Sequence, residues 1–500
     1  MLMGSLSANA FAAGAKQKHV VVMVWDGMRP DFINEKDTPN LYQLARQGVF
    51  FDNHHPTYVS LTEGNGAVLA TGDYPARTGM LGDMEYRPEI DPQRQVHMEE
   101  LKVVQQGDAA LGGHYVGVPT LPEIVRGAKR KAVAAGAKGV ILLADRTTGP
   151  NLFAGQTLPA GLLEGITKLH GEFPETVADH PTRNDWTTES LIDPMWGATV
   201  PDFSMLWMNE PDLAQHRTGV GSEHSLAMIR NADENLGRVL RALESRGVRE
   251  STDVLVVSDH GFSTISAVVD VADSLQSAGI DARRSFSAPP KRGDVMVVGI
   301  GGSVFIYVIG HEEKVIKQVV DFLQGRNWTG VIFTRQPMPG TFTLKQIHND
   351  APTAPDVLVS MRWTGDKNAV GAPGTLIADV LGFSAGQGMH CSLSRFDMHN
   401  TLIAAGPDFR AGVVDHLPTG NTDLAPTILS ILGIKPPKPM DGRVLSEALT
   451  MEGPKIKSFE PGHVEASAKL EKATWRQYLN YTEVNGVVYF DEGNGEQIPK

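Results

Sequence analysis

The chain has 500 residues, with 58 acidic against 45 basic side chains and a formal net charge of −13. At 41% hydrophobic and 21% charged it has the composition of a globular protein, long enough for one large domain with insertions or for two to three ordinary ones. The acidic balance excludes a nucleic-acid polymer or an anionic membrane as the main partner, but leaves room for a small anionic substrate at a site that concentrates positive charge.

The first residues, MLMGSLSANAFAAGAKQKH, are small and apolar with A-x-A spacings at Ala8–Ala10 and Ala10–Ala12. They read as the end of a secretory signal without its charged start, so residues 1–17 are expected to lie outside the fold and the protein to be periplasmic or secreted. A disordered, Ala-rich start is the alternative. No later stretch reaches the roughly 20 apolar residues of a membrane-spanning helix. The single cysteine, Cys391, excludes an intrachain disulfide.

In chain order, HVVVMVW at 19–25 predicts a buried strand and residues 38–48 a helix with Gly48 as its C-cap. TEGNGAVLATG, from Thr62, predicts a helix whose first turn carries a hydroxyl, with Gly64 and Gly66 allowing close approach to a bound group and the N-terminus favouring an anion. A plain N-cap role for Thr62 is the alternative. Further strands are predicted at 139–143, 203–208 and 254–258, with a long amphipathic helix at 225–247. This alternation predicts an α/β fold with a largely parallel sheet. Residues 266–374 change texture to strand–helix–strand and are expected to form a small α+β insertion. The catalytic domain would then comprise 18–265 and 375–450, and 451–500 a C-terminal surface tail with a hairpin.

Three predicted strands run into metal-type ligands: the first into Asp26, the 203–208 strand into Asp212 with His216 four residues on, and the 254–258 strand into Asp259 and His260. Ligands of open α/β sheets bind beyond the carboxyl ends of the strands. Each residue alone has an ordinary reading as a turn, a cap or a helical i,i+4 pair. Together they suit zinc, with Asp26, Asp259 and His260 on one ion and Asp212, His216 and His390 on a second. Manganese or iron would also accept these donors. Metal coordination would in turn activate Thr62, otherwise a weak nucleophile.

The motifs WDGMRPDF, TEGNGAVLATGDYPARTGM, NEPDLAQHRTG, SDHGFS and GMHCS occur in this order. On them the chain resembles the alkaline phosphatase superfamily, and within it the type I phosphodiesterase/nucleotide pyrophosphatase branch. The resemblance implies an alkaline-phosphatase-like three-layer α/β/α sandwich and two zinc ions, one held by Asp26, Thr62, Asp259 and His260, the other by Asp212, His216 and His390. It implies hydrolysis of phosphodiester or pyrophosphate bonds in a small phosphate-ester substrate through a covalent phospho-threonine at Thr62. A monoesterase with the same site is the alternative, with Lys138 and Arg146 as added substrate-binding cations; a binding protein on an impaired scaffold is a remoter one. The chain departs from the family at three positions. Glu63 replaces the aromatic residue that often follows the nucleophile. Asp83 stands where an asparagine contacts a phosphoryl oxygen, and an ionised Asp cannot donate. Cys391 replaces the glycine after the third histidine.

Overall fold

The computed structural model describes residues 17–146, 149–174, 180–453 and 455–500. The expected secretory segment therefore lies, but for Gln17, outside the described residues. Among the described residues no helix is long and apolar enough to cross a membrane.

The core is a nine-stranded sheet of β1 (His19–Trp25), β2 (Val49–Phe51), β3 (Ala132–Gly136), β4 (Asn151–Phe153), β5 (Gln156–Leu158), β6 (Phe203–Met208), β7 (Thr252–Val257), β8 (Leu402–Ala405) and β9 (Val413–Asp415). Its spatial order is β9-β2-β8-β7-β1-β6-β3-β4-β5. The five central strands β7, β1, β6, β3 and β4 run parallel. Every residue of β1 is buried because helices cover both faces of the sheet. Val20, Val22 and Val24 point into one apolar layer with α2 (Thr62–Thr71) and α5 (Leu424–Leu432). Val21, Met23 and Trp25 point into the other, with α1 (Pro39–Gln47) and α4 (Glu223–Ser245). This is the expected α/β/α sandwich.

The expected strand at 139–143 is not one. The strand beside β6 is β3, seven residues earlier, and Ile141–Ala144 forms a helical turn packed on it. The short apolar run ILLA carries no periodicity that separates the two states.

Beyond β7 the chain builds a six-stranded sheet from Ala282–Arg283 to Val357–Met361, with Ser303–Val308, the helix Glu313–Gln324 and Thr329–Thr334 inside it. The last segment is more than a surface hairpin. Phe459–Lys469, Ala473–Val484 and Val487–Pro499 form a three-stranded meander. It buries Trp475 against the six-stranded sheet, and Gln477 bonds both backbone groups of Ile332.

One buried acid makes stability depend on pH. Asp253, at the start of β7, accepts the Asp408 backbone N–H at Oδ1 at 3.1 Å, and the Asp408 carboxylate takes the Lys18 ammonium at 2.7 Å. Burial, joined by the Asp408 charge, raises the Asp253 carboxyl to about 7. An acid whose folded pKa exceeds its unfolded value stabilises the fold while protonated, and that contribution is lost as pH rises from about 4 through about 7. Asp253→Asn is therefore expected to raise the thermal midpoint by several degrees at pH 9 and to change it little at pH 5, read by calorimetry at both values.

Candidate metal centre

The carboxyl ends of β1, β6 and β7 lie side by side, and their following residues converge with the start of α2. Asp26 leaves β1 directly. Gly27, at φ +70°, turns the chain; a Cβ there would lie 2.9 Å from the Phe262 ring, and its N–H donates to Asp259 Oδ1 at 3.0 Å. After β6 the chain enters α3 (Asp212–Thr218), which sets Asp212 and His216 on one face four residues apart, with His216 Nε2 3.3 Å from Asp212 Oδ1. His390 reaches in from the loop after Gly388–Met389 and brings Nε2 to 3.6 Å from Asp212 Oδ1. His260 Nε2 lies 3.2 Å from Asp259 Oδ2, 3.6 Å from Asp26 Oδ1 and 3.2 Å from Thr62 Oγ1.

All seven sequence-predicted ligands thus meet at one place, and all but His216 are fully buried. Two groups of donors lie within 4.8 Å: Asp212, His216 and His390, and Asp26, Asp212 and His260. Asp212 belongs to both groups.

The site passes a chemical test for cations. Asp26 Oδ1, Asp212 Oδ1 and Asp259 Oδ2 are buried without a hydrogen-bond partner, where such an atom costs about 1–3 kcal/mol or more. Each histidine pairs Nδ1 with a backbone carbonyl, His216 with Gly388 at 3.0 Å, His260 with Gly261 at 3.0 Å and His390 with Ser60 at 2.8 Å. At His260 and His390 that bond assigns the proton to Nδ1 and leaves the Nε2 lone pair facing the carboxylates, the arrangement of a histidine ligand held by a second partner, whereas at His216 burial is outweighed by Asp212, which raises its pKa. Burial lowers His260 to about 4 and, with the other two imidazoles, His390 well below its usual range, so both are neutral. Burial raises Asp26 to about 7 against the pull of Lys138, and burial with the Asp26 charge raises Asp259 well above its usual range. At Asp212 burial is outweighed by His216 and Lys138, which hold it well below the carboxylate range.

Lys138 is at the site. Its Nζ lies 3.0 Å from Asp26 Oδ2, 3.3 Å from Thr62 Oγ1 and 3.8 Å from Asp212 Oδ2. Burial opposes its charge, but Asp26 and Asp212 prevail and keep it protonated. Arg146 is not brought to it. It pairs with Asp108 at 3.2 Å and the Gly113 carbonyl at 3.0 Å, and Glu123 lies 3.8 Å away. Nor does it bond Asp145, which belongs to Arg126.

Thr62 is the first residue of α2, not its cap; the cap position is Leu61. Its hydroxyl is therefore free to face His260 and Lys138. The anion expected at the helix N-terminus meets a competitor, since the Glu63 N–H already donates to Asp83 Oδ1 at 3.3 Å. Gly64 and Gly66 do permit close approach, but of protein: a Cβ would stand 2.8 Å from the Leu81 carbonyl at the first and 2.6 Å from Val140 Cγ2 at the second. Glu63 is buried, and burial, with Asp83 beside it, raises its carboxyl well above the usual range. Glu99, which sequence reading passed over, completes this acidic wall with its own raised pKa. Cys391 has φ +81°, which explains why a glycine suits the position. Its Sγ lies 3.1 Å from His390 Nδ1, on the ring edge away from the carboxylates, which excludes it from the donor set.

Two further supports had no signal in the sequence. Trp207 Nε1 donates to Asp26 Oδ2 at 2.9 Å, a contact set only by the pairing of β1 with β6. Asn421 Nδ2 donates to the Asp259 carbonyl at 2.8 Å and to Asn65 Oδ1 at 3.0 Å, tying α2 to the β7 turn.

A sequence model described as type I phosphodiesterase/nucleotide pyrophosphatase matches residues 20–364. Among curated proteins, human ectonucleotide pyrophosphatase/phosphodiesterase family member 7 is 25% identical over 251 residues, 50% of this chain and 49% of that one. The venom phosphodiesterase of Naja atra is 22% identical over 269 residues, 52% of this chain and 28% of that one. The chain thus spans about half the length, or less, of these two relatives. The bis(5'-adenosyl)-triphosphatase ENPP4 of Pongo abelii aligns over 83% of this chain and 78% of its own, at 20% identity. Murine ectonucleotide pyrophosphatase/phosphodiesterase 5 superposes with a TM-score of 0.63 at 16% identity, covering 87% of this chain and all of that one. The same murine protein is also known as an inactive threonine-to-alanine variant in complex with AMP. At this identity the superposition establishes a shared fold.

Proposed function

The chain belongs to the type I phosphodiesterase/nucleotide pyrophosphatase family, and from that premise we propose that it hydrolyses a phosphodiester or pyrophosphate bond with Thr62 as nucleophile and two bound divalent cations, zinc being the best match to the donors. The observation that carries this reading is the Thr62 hydroxyl, 3.2 Å from His260 Nε2, beside carboxylate oxygens that have no other partner.

Asp26, Asp259, His260 and Thr62 would hold one cation, and Asp212, His216 and His390 the other. Such a pair supplies Lewis acidity to lower the nucleophile's pKa and charge to stabilise both attacking and leaving oxygens. The Lys138 ammonium, 3.3 Å from Thr62 Oγ1, favours the deprotonated hydroxyl and offers an N–H to a phosphoryl oxygen. Thr62 Oγ1 forms a bond to phosphorus as the opposite P–O bond breaks, and the leaving oxygen departs with that electron pair and takes a proton from water. Water then attacks the phospho-threonine, which releases the second product and restores Thr62. Trp207 and the three carbonyls at Ser60, Gly261 and Gly388 keep the ligands aimed throughout.

A monoesterase is the second reading, and Lys138 is what favours it, since a dianion gains more from a nearby cation. The wall of Glu63, Asp83 and Glu99 favours the diester, because its carboxyls offer no balancing positive charge to the second charge of a monoester. Initial rates on an aryl phosphodiester and the matching monoester, with zinc-loaded protein at alkaline pH, separate the two; a higher kcat/KM for the monoester would overturn the first reading. Lys138→Ala is expected to lower kcat/KM about 10- to 100-fold for the better substrate, and more steeply for a monoester than for a diester in the same assay.

A further inference from the structure

We infer that Phe383 is a platform for the leaving group, and that the substrates of this chain carry an aromatic or nucleoside-like ring on that side of the phosphate. The inference rests on the reading above, in which Thr62 attacks in line. In such a displacement the leaving oxygen lies opposite Thr62 Oγ1, on the side of Asp212, His216 and His390.

That side carries an aromatic ring. The loop from 380 to 387 lies along the C-terminal end of α3. Gly386 N donates to the Ile265 carbonyl at 2.8 Å, Gln387 Nε2 to the Arg217 carbonyl at 3.1 Å, and Gln387 Oε1 accepts from Ser384 N at 2.6 Å. The contact is close enough that a Cβ on Gly219 would come within 2.4 Å of the Gly386 carbonyl. These bonds set the Phe383 ring parallel to His216, centroids 5.0 Å apart and planes 15° from each other. Phe262 closes the edge of the same imidazole at 4.8 Å and 71°. Part of the Phe383 ring packs on the apolar group of Ile265, Trp363 and Met389. The remainder is open to solvent, next to Leu381, which is 42% exposed.

Among the described residues, those named beside Thr62 are of another kind. Next to Thr62 stand Glu63, Asp83, Glu99 and Lys138, which offer charge and no aromatic face. Of the two ends of a bound phosphate ester, the departing one meets in Phe383 a surface suited to a flat apolar ring.

The test uses the full zinc-loaded chain and two esters that differ only in the leaving alcohol, p-nitrophenol or trifluoroethanol, of whichever class, mono- or diester, the protein turns over. Phe383→Leu keeps an apolar cover on His216 and removes the aromatic face; Phe383→Tyr keeps the face. The leucine variant is expected to lose about tenfold in kcat/KM on the aryl ester and less than twofold on the trifluoroethyl ester, with wild-type zinc content, while the tyrosine variant stays near wild type on both. Equal losses on the two esters, or a loss of zinc, would make Phe383 only a support for His216 and overturn the platform. A leucine variant indistinguishable from an active wild type would overturn it as well. Wild-type protein inert toward every ester would instead defeat the hydrolase reading, and the platform with it.

Discussion

Thr62→Ala is expected to lower kcat by about a thousandfold or more while leaving zinc content and the thermal midpoint nearly unchanged. On the proposed reading this hydroxyl, 3.2 Å from His260 Nε2 and 3.3 Å from Lys138 Nζ, is the attacking group. Six Asp and His donors remain in the variant, each held by its own partner, so the metals lose one ligand among seven. The helix survives because position 62 is inside α2, where alanine is the better former, and no capping bond is lost. Thr62→Ser keeps a hydroxyl and should recover measurable turnover. Steady-state rates, elemental analysis and calorimetry on the same preparations check all three statements. Wild-type kcat in the alanine variant would remove Thr62 from the mechanism and assign attack to water.

Asp212→Asn should be as damaging by another route, with at least about a thousandfold loss of activity accompanied by loss of metal. Asp212 is common to both donor groups, and its Oδ1 faces His216 at 3.3 Å and His390 at 3.6 Å. The carboxylate is also a counter-charge to Lys138. An amide of the same shape removes one negative charge and presents either a weaker oxygen or an NH₂ group to two Nε2 lone pairs. The backbone bond from Asp212 N to the Asp26 carbonyl, 3.0 Å, does not depend on the side chain and holds the start of α3 in place. The variant should therefore fold, bind at most one zinc per chain and stay inactive when zinc is added back. Chelation of the wild type should abolish activity reversibly. Two zincs retained in Asp212→Asn would overturn the role given to this residue.

Four of the ligand positions, Asp26, Asp212, Asp259 and His260, are legible because each lies within four residues of a strand's carboxyl end. A run of buried apolar residues announces β1, β6 and β7, and Asp or His donors stand within four residues of their ends. Parallel strands in one sheet place those ends together, so Asp26, Asp212, Asp259 and His260 converge once the sheet is recognised. His390 was readable only through its motif. Arg146 was misplaced because charge and proximity along the chain say nothing of which acid a guanidinium meets. It follows the short helix Ile141–Ala144, and it meets Asp108, 38 residues earlier.

What the sequence determined by itself was chemistry that resides in short segments: strands and their alternation with helices, donor types, the hydroxyl at position 62 and the family these motifs mark. What only the tertiary structure decided was which distant side chains share a space. Sheet register brings Trp207 to Asp26, loop packing lays Phe383 on His216, and folding gathers Glu63, Asp83 and Glu99 into one acidic wall beside Lys138. The physical reason is that a ligand following a strand is placed by local geometry. Its supports and the substrate's surroundings depend on contacts between residues tens to hundreds of positions apart, and on burial that no single segment encodes.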